Sequence, residues 1–226
     1  MSDEVQLMRE KISELGRMLF DRHLTDTAGG NISARVGDKI CITPRFAGAK
    51  FRWQLSPQQV LVCDSDGNYL EGDGEISREA KVHFKLLKEF PDGNAVVHGH
   101  AQNVLVFAAA GMTIPPIMED MLKFGDIEVC QFAPAHSEDL STFVAEKMKA
   151  REEAIKKQAA VVIAAWHGVF VLGKDLDAAF DAIDRVDGAA RIILMSTLLP
   201  QVANSAGRLT KHVDQLKVEA AKYGKK

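Results

Sequence analysis

The feature that most constrains this chain is an apolar run at residues 94–100 that ends in two histidines one residue apart. The run has the composition of a buried strand, and in it Val96, His98 and His100 share one parity. Alternate residues of a strand project from the same face of a sheet, so both imidazoles would leave one face, close enough to bind one ion. The pattern predicts a metal site at the end of a strand.

A third histidine stands in a similar place. A second apolar run, at residues 159–166, leads directly into His167 and Gly168. Zinc-type ions take four ligands, and a catalytic ion keeps one position open for water or substrate, so three neutral imidazoles would form a Lewis-acid site. The alternative is that each histidine is a hydrogen-bonded structural residue. Three histidines at the ends of two predicted strands favour the metal site.

The length and composition indicate one domain. The chain has 226 residues, of which 46% are hydrophobic, and this is ample for a buried core. No internal repeat, low-complexity segment or shift in composition marks a linker. We therefore expect a single domain over residues 1–226, with the polar residues 205–226 as a mobile C-terminal tail.

The charge and the cysteines exclude several classes of protein. A formal net charge of −3 and a pI of about 6.2 give no basic field that would attract nucleic acid or a membrane surface. We expect no signal peptide, because no basic segment precedes an apolar one at the N-terminus, and no transmembrane helix, because the apolar runs are shorter than about 20 residues. The cysteines lie far apart in apolar stretches and predict reduced core thiols and a cytoplasmic protein. They are Cys41, Cys63 and Cys130.

Hydrophobic periodicity predicts helices that alternate with strands. The predicted helices lie at residues 3–22, 77–89, 101–110, 136–157 and 176–199. The predicted strands lie at residues 31–43, as a hairpin, and at 60–64, 94–100, 127–132, 159–166 and 169–173. This alternation favours the α/β class, as a single three-layer α/β/α domain around a central mixed, largely antiparallel sheet.

Two loops carry groups that could bind an anion. The pair Gly29-Gly30 permits backbone conformations that expose amide N–H groups, although the same pair also suits an ordinary turn from helix to strand. Residues 45–53 carry three cations among aromatic residues, and this segment is either a solvated loop or a flap that meets an anionic substrate. The three cations are Arg45, Lys50 and Arg52.

A glutamate and a histidine share one face of a predicted helix. Glu79 and His83 lie four residues apart on the helix that Ser77 is placed to cap. A glutamate in the first helical turn also stabilises the helix dipole, with no chemistry attached. The residues alone leave both interpretations of Glu79 open.

Five motifs together resemble the class II aldolase/adducin family. They occur in the family's order and spacing over about residues 5–200. Each motif is weak alone, but the ordered combination is specific. The motifs are Gly30-Asn31-x-Ser33-x-Arg35, Ile42-Thr43-Pro44, Glu79-x-x-x-His83, Val96-Val97-His98-Gly99-His100 and Trp166-His167-Gly168.

The resemblance implies one divalent metal ion per subunit, usually Zn²⁺ with Mn²⁺ or Co²⁺ as alternatives, held by His98, His100 and His167. It also implies that Glu79 is the acid/base residue, because aldolase members carry Glu and epimerases carry Asp at the matching position. Family members form homotetramers with active sites at subunit interfaces, and the same is expected here. The substrate would be a small sugar phosphate or a hydroxy-acid.

The chain departs from the family pattern around the expected anion site. Arg45 and Arg78 stand where phosphate-binding members carry small hydroxyl or glycine residues. The arginines could bind a phosphate, prefer a planar carboxylate, or face a subunit interface. A tyrosine of the aldolase members has no match, so Asp120 and His136 are the candidates for the second acid/base residue. The residues expected at the anion site are Gly30, Asn31, Thr43, Arg45, Ser77 and Arg78.

Three functions are consistent with these features. The leading hypothesis is a metal-dependent aldolase that cleaves a small, L-fuculose-1-phosphate-like ketose phosphate to a dihydroxyacetone-phosphate-type fragment and an aldehyde, through a metal-stabilised enediolate. The second keeps the metal, with 4-epimerisation of ribulose phosphate, or decarboxylation or aldol cleavage of a carboxylated substrate. The third is a non-catalytic, adducin-like binding module. The retained histidines and Glu79 argue against the third.

Overall fold

The computed structural model describes residues 3–199 and 206–223. This described part contains seven α-helices and eight strands. The helices are α1 (Asp3–Asp21), α2 (Ala80–Glu89), α3 (Gln102–Ala110), α4 (Glu138–Lys149), α5 (Glu152–Lys157), α6 (Leu176–Ser196) and α7 (Ala206–Tyr223). The strands are β1 (Asn31–Val36), β2 (Lys39–Ile42), β3 (Leu61–Asp64), β4 (Tyr69–Glu71), β5 (Ala95–Gly99), β6 (Val129–Cys130), β7 (Ala159–Ala164) and β8 (Gly168–Gly173).

The strands of the described residues form one sheet in the order β4-β3-β2-β1-β5-β8-β7-β6. Each neighbouring pair is antiparallel except β6 and β7, which are parallel. The predicted hairpin is β1 and β2, in which Val36 pairs with Lys39 across a two-residue turn. The long-range pairs place β5 between β1 and β8. The prediction of a mixed, largely antiparallel sheet is confirmed.

Helices cover both faces of the sheet, because successive residues of each strand point to opposite sides. On one face, α1, α3 and α6 share an apolar cluster with Ile32, Val97 and Val171. On the other face, α2, α4 and α5 share a cluster with Val96 and Phe170. Val96 and Val97 are neighbours in β5, so this strand is buried on both sides. The predicted three-layer arrangement is confirmed.

The helix predicted over residues 136–157 is interrupted, so that prediction of one continuous helix is wrong. Ser137 caps α4 as expected, with its Oγ accepting from the backbone N of Leu140 at 3.2 Å. The chain leaves the helical conformation at Arg151 (φ −121°, ψ 15°) before α5. The guanidinium of Arg151 donates to the backbone O of Asp126 at 3.0 Å. The residues on both sides of the break are good helix formers, so local propensity does not mark it.

The polar tail expected at residues 205–226 includes helix α7, and its mobility stays a prediction. Residues 205 and 224–226 lie outside the described residues. Elsewhere the cysteine prediction is confirmed: Cys41, Cys63 and Cys130 are free and buried, and burial raises the pKa of each thiol to about 11. Among the described helices, none combines the length and apolar character needed to cross a membrane.

Candidate metal centre and active site

The candidate site forms where β5 ends between β1 and β8. The antiparallel register pairs His98 of β5 with Asn31, the first residue of β1, and with Phe170 of β8. His100 follows the end of β5, and His167 lies in the short turn between β7 and β8. The topology of the sheet therefore brings together residues that are far apart in the chain.

The three histidines predicted as metal ligands form one cluster. One ring nitrogen from each of His98, His100 and His167 lies within 4.8 Å of the others. The centroids of the three rings are 4.8 to 5.6 Å apart. The ring of His98 is fully buried and stacks on Phe170 at a centroid separation of 4.1 Å, so packing fixes its orientation.

Hydrogen bonds occupy one ring nitrogen of His98 and one of His100 and leave the other nitrogen of each ring without a hydrogen-bond partner among the described residues. His98 donates through Nδ1 to the backbone O of Val169 at 3.0 Å, and His100 donates through Nδ1 to Oδ1 of Asp26 at 3.1 Å. Nε2 of His98, Nε2 of His100 and Nδ1 of His167 are buried without a hydrogen bond to any described residue. Buried ring nitrogens without a hydrogen bond are rare. When a histidine binds a metal through one ring nitrogen, its other nitrogen usually donates a hydrogen bond, as Nδ1 of His98 and of His100 do here. The cluster therefore fits a divalent ion.

Glu79 lies beside two of these histidines. Its Oε1 is 3.0 Å from Nε2 of His167, and its Oε2 is 3.3 Å from Nε2 of His98. Burial raises the pKa of the Glu79 carboxyl, but the imidazoles of His98 and His167 and the amide of Asn31 lower it by more, so the group is ionised. Burial lowers the pKa of His98 to about 3, which keeps its ring neutral as a metal ligand must be.

The start of α2 differs from the sequence prediction. The placement of Glu79 within the first helical turn is wrong, because α2 begins at Ala80 and Glu79 is its N-cap. The expected cap, Ser77, instead accepts from the backbone N of Glu79 at 3.3 Å and from Nδ2 of Asn31 at 3.2 Å. These contacts hold the chain before the helix, and the side chain of Glu79 turns to the histidines.

Close backbone approach requires glycine at two positions of the site. A Cβ on Gly29 would lie 2.3 Å from Cε1 of His100, and a Cβ on Gly168 would lie 3.0 Å from Cε1 of His98. Trp166, two residues before Gly168, has a left-handed backbone (φ 56°), which is strained for a bulky residue. This turn carries His167 back to the cluster.

Asp26 is a site residue that the sequence analysis did not single out. Its Oδ1 accepts from the backbone N of Ala28 at 2.8 Å and of Gly29 at 3.0 Å, and also from His100. In the sequence, Asp26 looks like an ordinary turn residue. The signal that could have found it is the preference of aspartate for turns. The carboxylate therefore occupies the amide N–H of Gly29, one of the groups that the glycine pair was expected to expose to an anion.

A buried polar network extends behind Glu79. Nδ2 of Asn31 donates to Oε2 of Glu79 at 2.9 Å. On the other side of the amide, Oδ1 of Asn31 contacts Nε2 of His83, and Nδ1 of His83 lies 2.7 Å from Oγ of Ser33. Asn31, Ser33 and His83 are all buried. Asn31 thus links His83 and Ser33 by hydrogen bonds to Glu79, the candidate acid/base residue.

A cleft of about 150 Å³ opens beside Glu79, between the loop before β1, the loop after β2 and the start of α2. Arg78 and His136 are exposed at this cleft. The guanidinium of Arg45 also lines it, pairs with Glu75 at 3.0 Å and lies 4.4 Å from the centroid of the Phe46 ring. The predicted site residues that line the cleft are Gly30, Asn31, Arg45, Ser77, Arg78, Glu79 and His136.

Two predicted site residues make other contacts within the chain. Thr43 is fully buried, and its Oγ1 accepts from the backbone N of Ile32 at 3.0 Å, so it holds β1 to β2 and does not line the cleft. Asp120 forms an ion pair with Arg185 at 2.9 Å and does not line the cleft either. Partners on other elements hold both side chains outside the cleft.

Comparison with known proteins agrees with this architecture. The family model described as Class II Aldolase and Adducin N-terminal domain matches residues 10–194. An L-fuculose phosphate aldolase of Methanocaldococcus jannaschii is 27% identical over 191 residues, which cover 84% of this chain and 98% of that protein. A 3-oxo-tetronate 4-phosphate decarboxylase of Haemophilus influenzae is 28% identical over 195 residues, which cover 81% and 85%. A solved structure of L-fuculose 1-phosphate aldolase matches with a TM-score of 0.75 at 23% identity, covering 96% and 97%.

The fold, the histidine cluster and the family match define the class: the chain belongs to the class II aldolase and adducin N-terminal domain family. Within this family it is an enzyme, a class II aldolase and therefore a lyase. Class II aldolases depend on a metal, and the three histidines are a set that could bind one. The family and the enzyme class predicted from the sequence are confirmed.

Proposed function

We propose that the chain is a metal-dependent aldolase that cleaves a small ketose phosphate, of the L-fuculose-1-phosphate kind, to a dihydroxyacetone-phosphate-type fragment and an aldehyde. The observation that carries the proposal is the position of the Glu79 carboxylate, 3.0 Å from His167 and 3.3 Å from His98 at the edge of an open cleft. The M. jannaschii relative, which the match covers almost completely, supports the substrate class.

The metal would be held by His98, His100 and His167, with Zn²⁺ expected and Mn²⁺ or Co²⁺ as alternatives, because imidazole ligands suit all three. When bound, the ion supplies Lewis acidity that stabilises the negative charge left by carbon–carbon cleavage. The hydrogen bonds from His98 to Val169 and from His100 to Asp26 orient these two rings.

Glu79 exchanges the proton at the carbon that becomes a carbanion on cleavage. A carboxylate placed for proton transfer typically contributes about 10²–10⁴-fold in rate. The proton on the hydroxyl of the carbon–carbon bond that breaks needs a second residue, and we propose His136, which lies exposed at the cleft. Asp120 is paired with Arg185 outside the cleft of its own chain, so a role for it would require a neighbouring subunit.

The substrate anion is proposed to bind at the cationic side of the cleft. Arg78 is exposed there, next to Ser77, whose Oγ lies at the start of α2. Arg45 contributes less charge to a ligand, because Glu75 already pairs with its guanidinium at 3.0 Å. Arg78 is therefore the main candidate for contact with the phosphate.

We also propose that the enzyme is a cytoplasmic homotetramer with its active sites at subunit interfaces, acting on a small molecule and on neither nucleic acid nor membrane. Beside His167, the side chain of Trp166 is 68% exposed and contacts Phe132, which is 52% exposed, at a centroid separation of 5.2 Å. Exposed aromatic pairs of this kind support a contact with a second copy of the chain.

A second candidate function is decarboxylation of a carboxylated hydroxy-acid at the same site. The observation that favours it is the exposed guanidinium of Arg78 at the cleft, because a planar guanidinium binds a carboxylate through two parallel hydrogen bonds. The H. influenzae relative, named as a decarboxylase, also supports it. Epimerisation is less favoured, because Glu stands at position 79 where the resemblance gives epimerases Asp.

Metal analysis and a substrate panel test the proposal. Wild-type protein should hold about one divalent ion per chain, and His98→Ala should lose it. Turnover on ketose phosphates should fall about 10²–10⁴-fold in Glu79→Gln while the metal stays, with Glu89→Gln at the far end of α2 as the control. Turnover of hydroxy-acids alone would select the decarboxylase. A wild type that neither contains nor takes up Zn²⁺, Mn²⁺ or Co²⁺ would contradict both functions.

A further inference from the structure

Three buried polar side chains form a continuous hydrogen-bonded chain that ends on Glu79. Ser33 and His83 are 0% exposed and Asn31 is 2% exposed. Water does not reach these groups, so each contact between them must pair one donor with one acceptor. Because this series of hydrogen bonds ends on Glu79, the role of Glu79 as an acceptor determines which group donates at every contact in the series.

The carboxylate decides the orientation of the Asn31 amide. A carboxylate only accepts hydrogen bonds, so the Asn31 group that lies 2.9 Å from Oε2 of Glu79 must be the NH₂ group. The amide oxygen, Oδ1, then faces His83 and can only accept. It follows that Nε2 of His83 carries a hydrogen and donates it to Asn31.

The other nitrogen of His83 is then defined as well. Burial lowers the pKa of His83 to about 3, so the ring is neutral and has a single N–H. Nδ1 is the acceptor and receives the hydroxyl hydrogen of Ser33 at 2.7 Å. In the opposite tautomer, the lone pair of Nε2 would face the lone pairs of Oδ1, and two acceptors would be left buried without a donor.

We propose that His83 is a positioning residue that locks the Asn31 amide in one orientation, with its NH₂ group on Oε2 of Glu79 and its oxygen on Nε2 of His83. The NH₂ group of Asn31 also donates to Oγ of Ser77 at 3.2 Å, which supports the same orientation of the amide. Without the donor on His83, Oδ1 of Asn31 is left buried without a partner, and the amide no longer holds the Glu79 carboxylate in one position. The effect on rate rests on the proposed function, whereas the tautomer does not.

The tautomer is measured in wild-type protein labelled with ¹⁵N-histidine, by long-range proton–nitrogen correlation spectra between pH 5 and pH 8. The signals of His83 are assigned by their loss in His83→Gln. We expect a neutral ring with the hydrogen on Nε2 at every pH. A ring with its hydrogen on Nδ1, or one protonated on both nitrogens, overturns the proposal.

Two replacements of His83 separate positioning from packing. His83→Leu keeps much of the side-chain volume but removes the donor, so kcat should fall about 10- to 100-fold with KM and metal content within about twofold, the range typical of groups that orient a reactive residue. His83→Gln places an amide N–H near the position of Nε2 and should restore most of the rate. His23→Asn, at an exposed histidine with a left-handed backbone, is the control and should keep wild-type kcat.

Equal loss of kcat in the Leu and Gln variants, or full kcat in the Leu variant, contradicts the proposal. If the wild type turns over no substrate of the panel, the proposed function fails, and the tautomer of the folded protein then supports or overturns the locked amide without any turnover.

Discussion

At the scale of single residues, the histidines of the cluster are held by unlike partners. His98 donates to the neutral backbone O of Val169, whereas His100 donates to the carboxylate of Asp26. A carboxylate behind an imidazole increases the basicity of the nitrogen that faces the metal. The same oxygen of Asp26 also accepts from the backbone of Ala28 and Gly29, so the ligand and the glycine turn share one support.

Replacing Asp26 should therefore weaken metal binding without unfolding the protein. In Asp26→Asn the side chain can still accept from the turn, but the charge behind His100 is lost, and we expect the Zn²⁺ affinity to fall about 10- to 100-fold. Competition with a chromogenic chelator measures the affinity. Asp38→Asn, in the turn between β1 and β2, is the control, and equal affinities in all three proteins would refute a role for Asp26.

The buried, neutral His83 should make the protein less stable in acid. An unfolded histidine binds a proton below its ordinary pKa of 6.5, but folded His83 binds one only near pH 3. Between these values the unfolded state binds more protons, so the free energy of unfolding falls as the pH falls, by up to about 1.4 kcal/mol per pH unit from this residue. Urea unfolding of metal-free protein at pH 7.0, 5.5 and 4.5 should show a shallower pH dependence in His83→Gln. The same slope in both proteins would contradict this assignment.

At the scale of elements, the site is built from the ends of strands and the loops beside them. The loop from α1 to β1 passes so close to His100 that only glycine fits at position 29, and the turn from β7 to β8 passes close to His98 at Gly168. The strands of the sheet fix where these loops begin. Because glycine has no side chain, each loop can approach the histidine ring closely. Helix α2 adds Glu79 from its N-cap.

Gly29→Ala should displace His100 and remove the metal while the sheet stays intact. The added Cβ would lie 2.3 Å from Cε1 of His100, and that ring is held from the other side by Asp26. Elemental analysis should find well under one ion per chain, with a circular dichroism spectrum like that of the wild type. The control is Gly188→Ala in α6, where a Cβ meets nothing within 4 Å and should leave the metal bound. A fully loaded Gly29→Ala protein would show that the loop can move aside.

At the scale of the whole molecule, the aromatic pair of Trp166 and Phe132 is exposed to solvent in the single chain. Trp166 precedes the candidate ligand His167, and its backbone N donates to the O of Ala108 at 3.0 Å, which fixes the turn. The side chain itself contacts Phe132 and is otherwise exposed. The proposed assembly would cover this pair and remove its apolar surface from water.

Trp166→Glu should therefore separate the proposed tetramer into smaller species. Light scattering after size-exclusion chromatography should give four chains for the wild type and fewer for the variant, because a buried carboxylate without a partner is strongly unfavourable. Leu7→Glu, at a leucine of α1 that is 62% exposed, should remain tetrameric. A monomeric wild type would contradict the proposed assembly, and a tetrameric Trp166→Glu would exclude this surface from the interface.

Local pattern was sufficient for much of the fold. The runs that became β5 and β7, the hairpin of β1 and β2 and the cap at Ser137 each depend on neighbours a few residues away, so the sequence predicts them directly. The same holds for the two histidines at the end of β5, because side chains two residues apart share one face. The third histidine was predicted from its place at the end of a second apolar run, whereas the role of Glu79 was chosen with help from the family resemblance.

Only the tertiary structure decided how these residues are held. The bond of Asp26 to His100 and the chain of contacts from Ser33 through His83 and Asn31 to Glu79 join segments that are far apart in sequence. The tertiary structure also directed Thr43 to the backbone of β1. Such contacts depend on which strands pair and in which register, and short-range periodicity carries no information about that choice. The sequence by itself therefore determined most of the elements and the ligand types, and the packing of distant segments determined the partners that orient them.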